Sequence, residues 1–504
     1  MSDFPDDEPP TNEMPVVHEA TTDSPAAPVP AAGDGPWSAS RQHPVRHWVV
    51  LFVIVLALVA GSAGAVGALA VRQQWAVPAG PSTVPASVFV ASTTAATTPT
   101  PSPPAPNAKC LATALNAVRY TGKGVVTGQV RAVGSGAVLW GRDASKPLMP
   151  ASNEKLLTAF ALVTAMGPGA LTATFATSVV SAAPGRITLI GGGDPYLAST
   201  KKTATIGQPA TLDDLAIATA TALKSQGLTS VTLGFDDSAF AGPAWLSSWQ
   251  AADVSEVTRI SALWVDEGRT PTKKTTPHIA TTTPAWDAAK LFAAALKAHG
   301  ISVTAVDKQA KPAPSQAAPV ASIESLPLGD IIAHALLTSD NSATEVLLRH
   351  LAIAIGQPGS FDAGAAAVRA WVESAGLPLA GLRIVDGSGL SRANAVPADV
   401  LAGAVAWAGA SDGPAREVLT RLPVAFVSGT LVGRFKTADV AGARGWVHAK
   451  TGSLSGVSTL SGYTVTTSGQ VLAFSFMVNN DTSGAPDMHT WLDQMAAAAT
   501  TAKC

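Results

Sequence analysis

The stretch from Pro150 to Leu157 limits most narrowly what this chain can fold into, because it places a serine and a lysine three residues apart where a helix begins. Apolar residues recur behind it at three- and four-residue spacing, which predicts a buried helix. Ser152 and Lys155 then share one face of its first turn. A cation is unfavourable at the positive end of a helix. A partly desolvated Lys155 amine would lose its proton more easily and could activate the Ser152 hydroxyl.

A simpler interpretation of the same serine stays open. Ser152 also fits a plain helix N-cap, for which serine is a preferred residue. The Ser-x-x-Lys spacing occurs again at Ser199–Lys202. No apolar period follows that second copy, and we interpret it as a loop.

The first seventy residues predict a membrane anchor. Residues 1–46 are rich in Pro, acidic residues, Ala and Thr, and we interpret them as a disordered cytoplasmic tail. Residues 47–71 contain no Asp, Glu, Lys or Arg and are long enough to cross a bilayer of roughly 30 Å. Arg41 and Arg46 precede them, which places the N-terminus in the cytoplasm and the bulk of the chain outside the cell membrane. A cleaved signal peptide is the alternative, because Ala68–Ala70 resembles a cleavage site, but the long acidic tail argues against it.

A Pro/Thr/Ser/Ala-rich segment, residues 72–107, follows as an extended linker. The folded part starts near residue 108. Its two cysteines, Cys110 and Cys504, lie at its two ends. In an extracytoplasmic chain such a pair favours a disulfide over two free thiols.

Two further polar motifs stand out in this folded part. Thr338–Ser342 interrupts a helical period that runs on both sides of it, and so predicts a short turn between two buried helices. Such a turn can present side chains inward, although Ser, Asp and Asn there also fit helix caps. Trp446–Ser453 reads as a strand that ends at a glycine turn, and strands around 456–465 and 470–479 continue an antiparallel meander.

Residues 176–325 have a different texture, with short Val/Thr/Ile pieces and Thr-rich loops. We predict a separate, β-rich module inserted into the first domain. Gly191–Pro195 does not fit a nucleotide-binding loop, because no helical period follows it. The formal net charge of −2 gives no basic excess for nucleic acid, and no Cys/His cluster of zinc type is present in the sequence.

Taken together and in order, three motifs carry a family resemblance: Ser152-x-x-Lys155, Ser339-x-Asn341 and Lys450-Thr451-Gly452. This set is typical of β-lactamases and penicillin-binding proteins. More narrowly, the chain from about residue 108 onward resembles the D-alanyl-D-alanine carboxypeptidases/endopeptidases of peptidase family S13, the low-molecular-mass class C penicillin-binding proteins. The narrower resemblance is carried by Lys146–Ser152, Gly192–Pro195, Asp386–Arg392, Ser428–Leu431 and Arg434.

The resemblance implies an α/β fold of the serine β-lactamase/transpeptidase type, an antiparallel sheet flanked by helices. Residues 108–175 and 326–504 would form this catalytic domain, interrupted by the inserted module 176–325 and preceded by one transmembrane helix. The opening and closing helices, which carry the two cysteines at their ends, would then lie side by side.

The resemblance also implies the chemistry and the partners. Ser152 would attack the D-Ala-D-Ala bond of a peptidoglycan stem peptide with Lys155 as general base, and no cofactor or metal would be needed. The other implied site residues are Ser339, Asn341 and Lys450 in catalysis, and Thr451, Gly452 and Ser453 in substrate binding. β-Lactam antibiotics would act as inhibitors. One departure is His448, at a position where Arg or Lys is expected.

Two other functions stay open at this point. A β-lactamase shares the three motifs, although the large insertion and Asp386–Arg392 favour the peptidase. A deacylating glutamate is not evident, and Glu345 and Glu373 are unassigned. The second alternative is a non-catalytic module that binds the cell wall or senses antibiotics, against which the intact Ser152 and Lys155 count.

Overall fold

The computed structural model describes residues 107–207, 209–270 and 279–504. The tail, the membrane anchor and all but the last residue of the linker predicted above lie outside these residues. Within them, no helix is both long enough and apolar enough to cross a membrane. The helices are α1 (Ala108–Ala117), α2 (Glu154–Met166), α3 (Leu212–Ser225), α4 (Pro284–Ala298), α5 (Leu328–Thr338), α6 (Asn341–Ala354), α7 (Phe361–Ser374), α8 (Ala398–Ala410), α9 (Pro414–Leu419) and α10 (Ala485–Thr501).

The strands belong to two five-stranded sheets and two short pairs. The strands are β1 (Val125–Ala132), β2 (Val138–Arg142), β3 (Pro147–Leu148), β4 (Ala176–Ala183), β5 (Arg186–Ile190), β6 (Ser230–Asp236), β7 (Arg269–Thr270), β8 (Ile279–Ala280), β9 (Ser302–Val306), β10 (Ala318–Glu324), β11 (Val396–Pro397), β12 (Val447–Leu454), β13 (Val457–Val465) and β14 (Val471–Asn479).

The main sheet is antiparallel throughout and has the order β12-β13-β14-β1-β2. Its first strand pairs with its last, with Val125 opposite Asn479. The two ends of the folded chain therefore meet inside one sheet. Strand β12, which carries the Lys-Thr-Gly motif, lies at the sheet edge.

Helices cover both faces of this sheet, because side chains alternate along each strand. On β14, Ala473 and Met477 pack in the same core as helix α8. Phe474 and Phe476, which alternate with them, pack with α10 and α1 on the other face. The resulting antiparallel sheet between helices is the architecture that the resemblance implied.

Helix α2 is buried on nearly every side by α6, α7, α8 and α9. Its sequence explains this, because apolar residues occur all round it and such a helix belongs in a core. Leu156, Leu157 and Phe160 are fully buried. The same position takes Lys155 almost completely out of solvent, with 1% of its surface exposed.

The second sheet has the order β10-β4-β5-β6-β9 and is built entirely from residues 176–324. Strands β10, β4 and β5 are antiparallel, whereas β5, β6 and β9 are parallel. Parallel neighbours need long crossover connections, and α3 and α4 lie in these connections. This region is therefore an α/β layer, and the prediction of a simply β-rich module was wrong in missing the two helices.

The sequence of α3 does contain a helix signal. Thr211 accepts a hydrogen bond from the Asp214 amide at 3.2 Å, and the Asp214 carboxylate accepts one from the Thr211 amide at 3.0 Å. This is a capping box. The alternation of Ala and Thr behind it resembles a strand, but burial of Leu212, Leu215 and Leu223 on one side follows the helical period.

A disulfide joins Cys110 and Cys504, whose Cα atoms are 5.7 Å apart. Helices α1 and α10 pack against each other, so the bond lies where the first and last helices meet. The predicted pairing is confirmed. It closes a loop with a sequence separation of 394 residues.

Replacing both cysteines by serine is expected to lower the free energy of unfolding by up to about 5 kcal/mol, the chain-entropy figure for so long a loop. Denaturant titration under non-reducing conditions measures the difference. The catalytic activity of the folded variant should match that of the natural chain, because both cysteines lie outside the cleft described below. A variant with unchanged stability would contradict the expectation.

Candidate active site

Ser152 lies in a single 3₁₀ turn, Ala151–Asn153, that leads directly into α2. The N-cap positions are Pro150 for this turn and Asn153 for α2, and neither side chain makes a capping hydrogen bond. Ser152 occupies neither N-cap position. The N-cap interpretation of Ser152 is therefore wrong. Instead Ser152 lines a cleft of about 780 Å³.

The backbone beside Ser152 is strained and tightly held. Ala151 has a φ of 46°, in the left-handed region that costs non-glycine residues energy. A Cβ atom on Gly389 would lie 1.8 Å from the Ala151 carbonyl oxygen, and one on Gly452 would lie 2.8 Å from the Pro150 carbonyl oxygen. Only glycine allows these close approaches, so the turn is fixed from two sides.

The Lys155 ammonium nitrogen contacts three oxygen atoms. Its Nζ lies 2.9 Å from Ser152 Oγ, 2.6 Å from Asn341 Oδ1 and 2.8 Å from the Ser388 carbonyl oxygen. Burial lowers the pKa of Lys155 to about 8, although the nearby carboxylates of Glu345 and Asp386 oppose the shift. An amine with this pKa beside a hydroxyl is suited to act as a base near neutral pH.

The turn between α5 and α6 divides its polar side chains between two roles. Asp340 caps α6, since its Oδ1 accepts a hydrogen bond from the Ala343 amide at 2.9 Å. The capping interpretation thus holds for Asp340. Ser339, which ends α5 with a left-handed φ of 65°, and Asn341 direct their side-chain oxygens to lysines instead.

Lys450 forms a second serine–lysine pair in the same cleft. Its Nζ donates to Ser339 Oγ at 2.9 Å and to the Thr451 carbonyl oxygen at 2.8 Å. Burial, followed by the positive charge of Lys155, lowers the pKa of Lys450 well below its ordinary value. A neutral amine beside the Ser339 hydroxyl can pass a proton through it.

The three residues predicted to bind substrate lie on the edge strand β12. The Thr451 hydroxyl contacts Thr430 Oγ1 at 2.7 Å. Thr430, Thr451 and Ser453 line the cleft. Gly452 lies against the turn that holds Ser152, as described above. The structure thus brings all eight predicted catalytic and substrate-binding residues to one place.

The inserted module supplies one wall of this cleft, which sequence reasoning missed. Lining residues from this wall include Ser248, Gln250, Asp253 and Glu256. The Glu256 carbonyl accepts a hydrogen bond from Asn341 Nδ2 at 3.0 Å. No sequence signal could have found these residues, because a polar loop over an active site has the composition of any surface loop.

The unassigned glutamates and His448 lie away from the cleft lining. Glu345 is fully buried and accepts hydrogen bonds from backbone amides, and Glu373 is exposed on α7. His448 stacks on Tyr463 with ring centres 4.8 Å apart, and burial lowers its pKa. It therefore adds no positive charge to the cleft. Among the described residues, no group of three or more His, Cys, Asp and Glu could hold a metal ion.

Comparison with known proteins gives the family. The D-Ala-D-Ala carboxypeptidase 3 (S13) family model matches residues 111–278 and 270–502. Carboxypeptidase DacB of Mycolicibacterium smegmatis is 35% identical over 412 residues, which cover 80% of this chain and 86% of the relative. A D-alanyl-D-alanine carboxypeptidase of Actinomadura is 30% identical over 449 residues, covering 72% of this chain and 79% of the relative.

The crystal structure of penicillin binding protein 4 from Haemophilus influenzae superposes with a TM-score of 0.62, covering 78% of this chain and 98% of that one. At 20% sequence identity this likeness concerns the fold alone. The family match, in contrast, extends over nearly all of the described residues. The chain therefore belongs to the S13 family of D-Ala-D-Ala carboxypeptidases and is a serine-type D-alanyl-D-alanine carboxypeptidase.

Proposed function

We propose that the protein is a membrane-anchored D-Ala-D-Ala carboxypeptidase that trims peptidoglycan stem peptides through an acyl-enzyme on Ser152. One observation carries the proposal. Ser152 Oγ lines a cleft of about 780 Å³, large enough for a peptide end, and lies 2.9 Å from the nitrogen of a buried lysine. This is the arrangement of an activated nucleophile and its base.

In the first step, the Ser152 oxygen attacks the carbonyl carbon of the D-Ala-D-Ala bond while its proton passes to Lys155 Nζ. The backbone N–H groups of Ser152 and Ser453 bind the oxygen that becomes negative, and each such donor is worth about 2.7–4 kcal/mol in the transition state. The Ser339 hydroxyl then gives its proton to the departing D-Ala amine and takes back, relayed by Lys450, the proton that Lys155 removed from Ser152. Asn341 holds Lys155 and the substrate amide. Water finally hydrolyses the ester to restore Ser152.

The edge position of β12 explains how a peptide would be held. An extended substrate can pair with an unpaired strand edge through main-chain hydrogen bonds. Thr451 and Ser453 would bind its terminal carboxylate. The Thr451 hydroxyl donates to Thr430 Oγ1 at 2.7 Å in the free enzyme, and rotation of its O–H toward the carboxylate would make both hydroxyls donors to it.

β-Lactams would acylate the same serine, because their strained amide presents a carbonyl to Ser152 in the same way. The Haemophilus influenzae protein of similar fold is named a penicillin-binding protein.

The substrate lies in the cell wall, so the proposal places the catalytic domain outside the cell membrane, tethered by residues 47–71. Endopeptidase action on cross-linked wall peptides is included in the proposal.

Incubating the full-length protein, purified in detergent, with a peptide ending in D-Ala-D-Ala tests the activity. We expect release of one D-Ala per peptide, measured by mass spectrometry, and stable labelling by a fluorescent penicillin that maps to Ser152. Digests of purified wall fragments separate carboxypeptidase from endopeptidase products. Rapid turnover of the penicillin with no D-Ala release would favour a β-lactamase instead.

The rate of acylation is expected to rise with pH and to reach half of its maximum near pH 8. We call this rising part of the pH profile the acid limb. The reason is that only the neutral amine of Lys155 can accept the Ser152 proton, and burial sets the pKa of Lys155 to about 8. The labelling rate constant, measured at saturating penicillin from pH 6 to pH 10, gives the limb. A rate that is constant over this range would remove Lys155 from the role of base.

The proposed anchor has its own test. N-terminal sequencing of the protein extracted from membranes should find the start of the chain and not a residue near Val71. A mature protein that begins near Val71 would be a secreted enzyme with a processed leader, and the anchoring part of the proposal would fall.

A further inference from the structure

The three oxygen contacts of Lys155 have a consequence for the direction of its lone pair. A neutral amine has two N–H groups and one lone pair. Asn341 Oδ1 and the Ser388 carbonyl oxygen, at 2.6 Å and 2.8 Å, can only accept hydrogen bonds from it. With both N–H groups donated to these two oxygens, the lone pair is left facing Ser152 Oγ at 2.9 Å. The Ser388 carbonyl is therefore as necessary as Asn341 for orienting the lone pair of Lys155 toward Ser152.

Glu345 holds the backbone directly before the peptide group that carries this carbonyl. The N–H of that peptide group, which belongs to Gly389, donates to Asp386 Oδ1 at 2.9 Å. The Glu345 carboxylate accepts hydrogen bonds from the Ser388 amide at 2.8 Å and from the Gly387 amide at 3.0 and 3.1 Å. On the other side, Thr158 Oγ1 donates to the Gly387 carbonyl at 2.8 Å. Glu345 is 0% exposed, so no water could replace it as an acceptor without structural change.

We propose that Glu345 is a positioning residue for the general base: it fixes the backbone at Gly387 and Ser388, from which the Ser388 carbonyl projects, and so directs the lone pair of Lys155 at Ser152. The inference rests on the proposed function, in which Lys155 takes the Ser152 proton. Glu345 does not touch the cleft. It acts through the backbone N–H groups of Gly387 and Ser388. Asn341 and Glu345 lie one turn apart on α6, so a single helix supports both acceptors of the lysine.

Several charged groups face this arrangement. Lys155 is approached by the carboxylates of Glu345 from α6, Asp386 from the loop before α8, Asp340 from the turn before α6, and Glu154 from its own helix. Each of them raises the pKa of Lys155. Glu345 itself is faced by Asp386, and Arg349 lies near it on α6.

Glu345→Gln in the full-length protein tests the proposal. The glutamine retains one oxygen but turns an N–H group toward the Gly387 amide. We expect the maximal rate constant of acylation by a fluorescent penicillin to fall about 10- to 100-fold, as misplacement of a reacting group does. The half-saturating concentration should stay close to that of the natural chain. Burial and the charge of Asp386 raise the pKa of Glu345 itself to about 8, so only its ionised fraction raises the pKa of Lys155, and the loss of that fraction should move the acid limb slightly to lower pH.

Thr158→Val provides a second variant, which loosens the same peptide without changing charge. It should lower the same rate constant and leave the acid limb in place. Glu373→Gln makes the identical chemical change on an exposed face of α7 and should alter nothing. Active-site titration gives the fraction of protein that reacts.

An acylation rate constant and acid limb in Glu345→Gln equal to those of the natural chain would overturn the inference. So would a smaller reactive fraction that still acylates at the natural rate, since that pattern means a role in folding only. If Glu345→Gln does not fold, an unchanged rate in Thr158→Val overturns the inference and a lowered one supports it. A natural chain that is not acylated at all would overturn the proposed function itself, which is a distinct result.

Discussion

Ser152→Ala is expected to abolish the acyl-enzyme and to lower the rate of D-Ala release by about 10⁴-fold or more, the scale seen when a serine nucleophile is removed. Alanine has no oxygen to form the ester, and the buried Lys155 amine, 2.9 Å from the lost Oγ, then has no hydroxyl to deprotonate. Intact-protein mass spectrometry after exposure to a β-lactam, together with D-Ala release, measures both effects. The fold should persist, because one lost hydrogen bond costs only about 1 kcal/mol.

The chain offers a matched control for this substitution. Ser199 has the same Ser-x-x-Lys spacing but lies in a surface loop, where its hydroxyl contacts Thr203 Oγ1 at 3.0 Å. Ser199→Ala should therefore leave labelling and activity unchanged. A penicillin label that maps to Ser199, or that survives in Ser152→Ala, would show that the nucleophile is misassigned.

Glu154→Met is expected to stabilise the fold by about 1–3 kcal/mol, the cost of a buried polar group without partners. Glu154 follows Ser152 by two residues and is 0% exposed, and neither of its carboxyl oxygens has a hydrogen-bond partner. Burial raises its pKa well above the ordinary value, and the charges of Asp386 and Glu345 raise it further. Methionine has a similar length and leaves no polar atom without a hydrogen-bond partner. Chemical denaturation at pH 7 measures the gain.

The pH dependence of the same variant gives a second readout. Because the pKa of Glu154 is raised by folding, the folded chain keeps a proton that the unfolded chain releases above its ordinary pKa near 4.5. Its contribution to stability is thus complete below that pH and is lost as the pH rises toward the folded value, at up to about 1.4 kcal/mol per pH unit. Glu154→Gln should remove this slope but should not give the stability gain of Glu154→Met, because the buried amide would still lack hydrogen-bond partners. A slope unchanged in both variants would mean that Glu154 does not titrate in this way.

Much of the architecture could be predicted because its signals are local. The period behind Lys155 predicted α2, and the strand that ends at the glycine turn after Lys450, with the two strand-like segments that follow, predicted the β12–β14 meander. Helix α3 was missed for a local reason as well, since Ala and Thr alternate along it and conceal the capping box of Thr211 and Asp214.

The geometry of the site could not be predicted from local signals. Lys155 and Asn341 are 186 residues apart in sequence, and Ser339 and Lys450 are 111 apart, so their hydrogen bonds depend on how α2, α6 and β12 pack. Resemblance to a family brought these motifs together before any distance was known. A contact such as that between Lys155 and the Ser388 carbonyl has no sequence signature, because every residue has a backbone carbonyl.

The disulfide between α1 and α10 matters in a mechanical sense for an enzyme on a tether. In the anchored arrangement that we propose, any movement of the bound wall relative to the membrane pulls on the domain at Asn107. Without a crosslink this tension would peel away α1 first and then β1, one hydrogen bond at a time. Cys110 lies only three residues after Asn107 and is bonded to Cys504. The load therefore passes at once into both ends of a closed loop. The turn and helix that hold Ser152 and Lys155, and the strand that holds Lys450, are thereby shielded from the pull of the anchor.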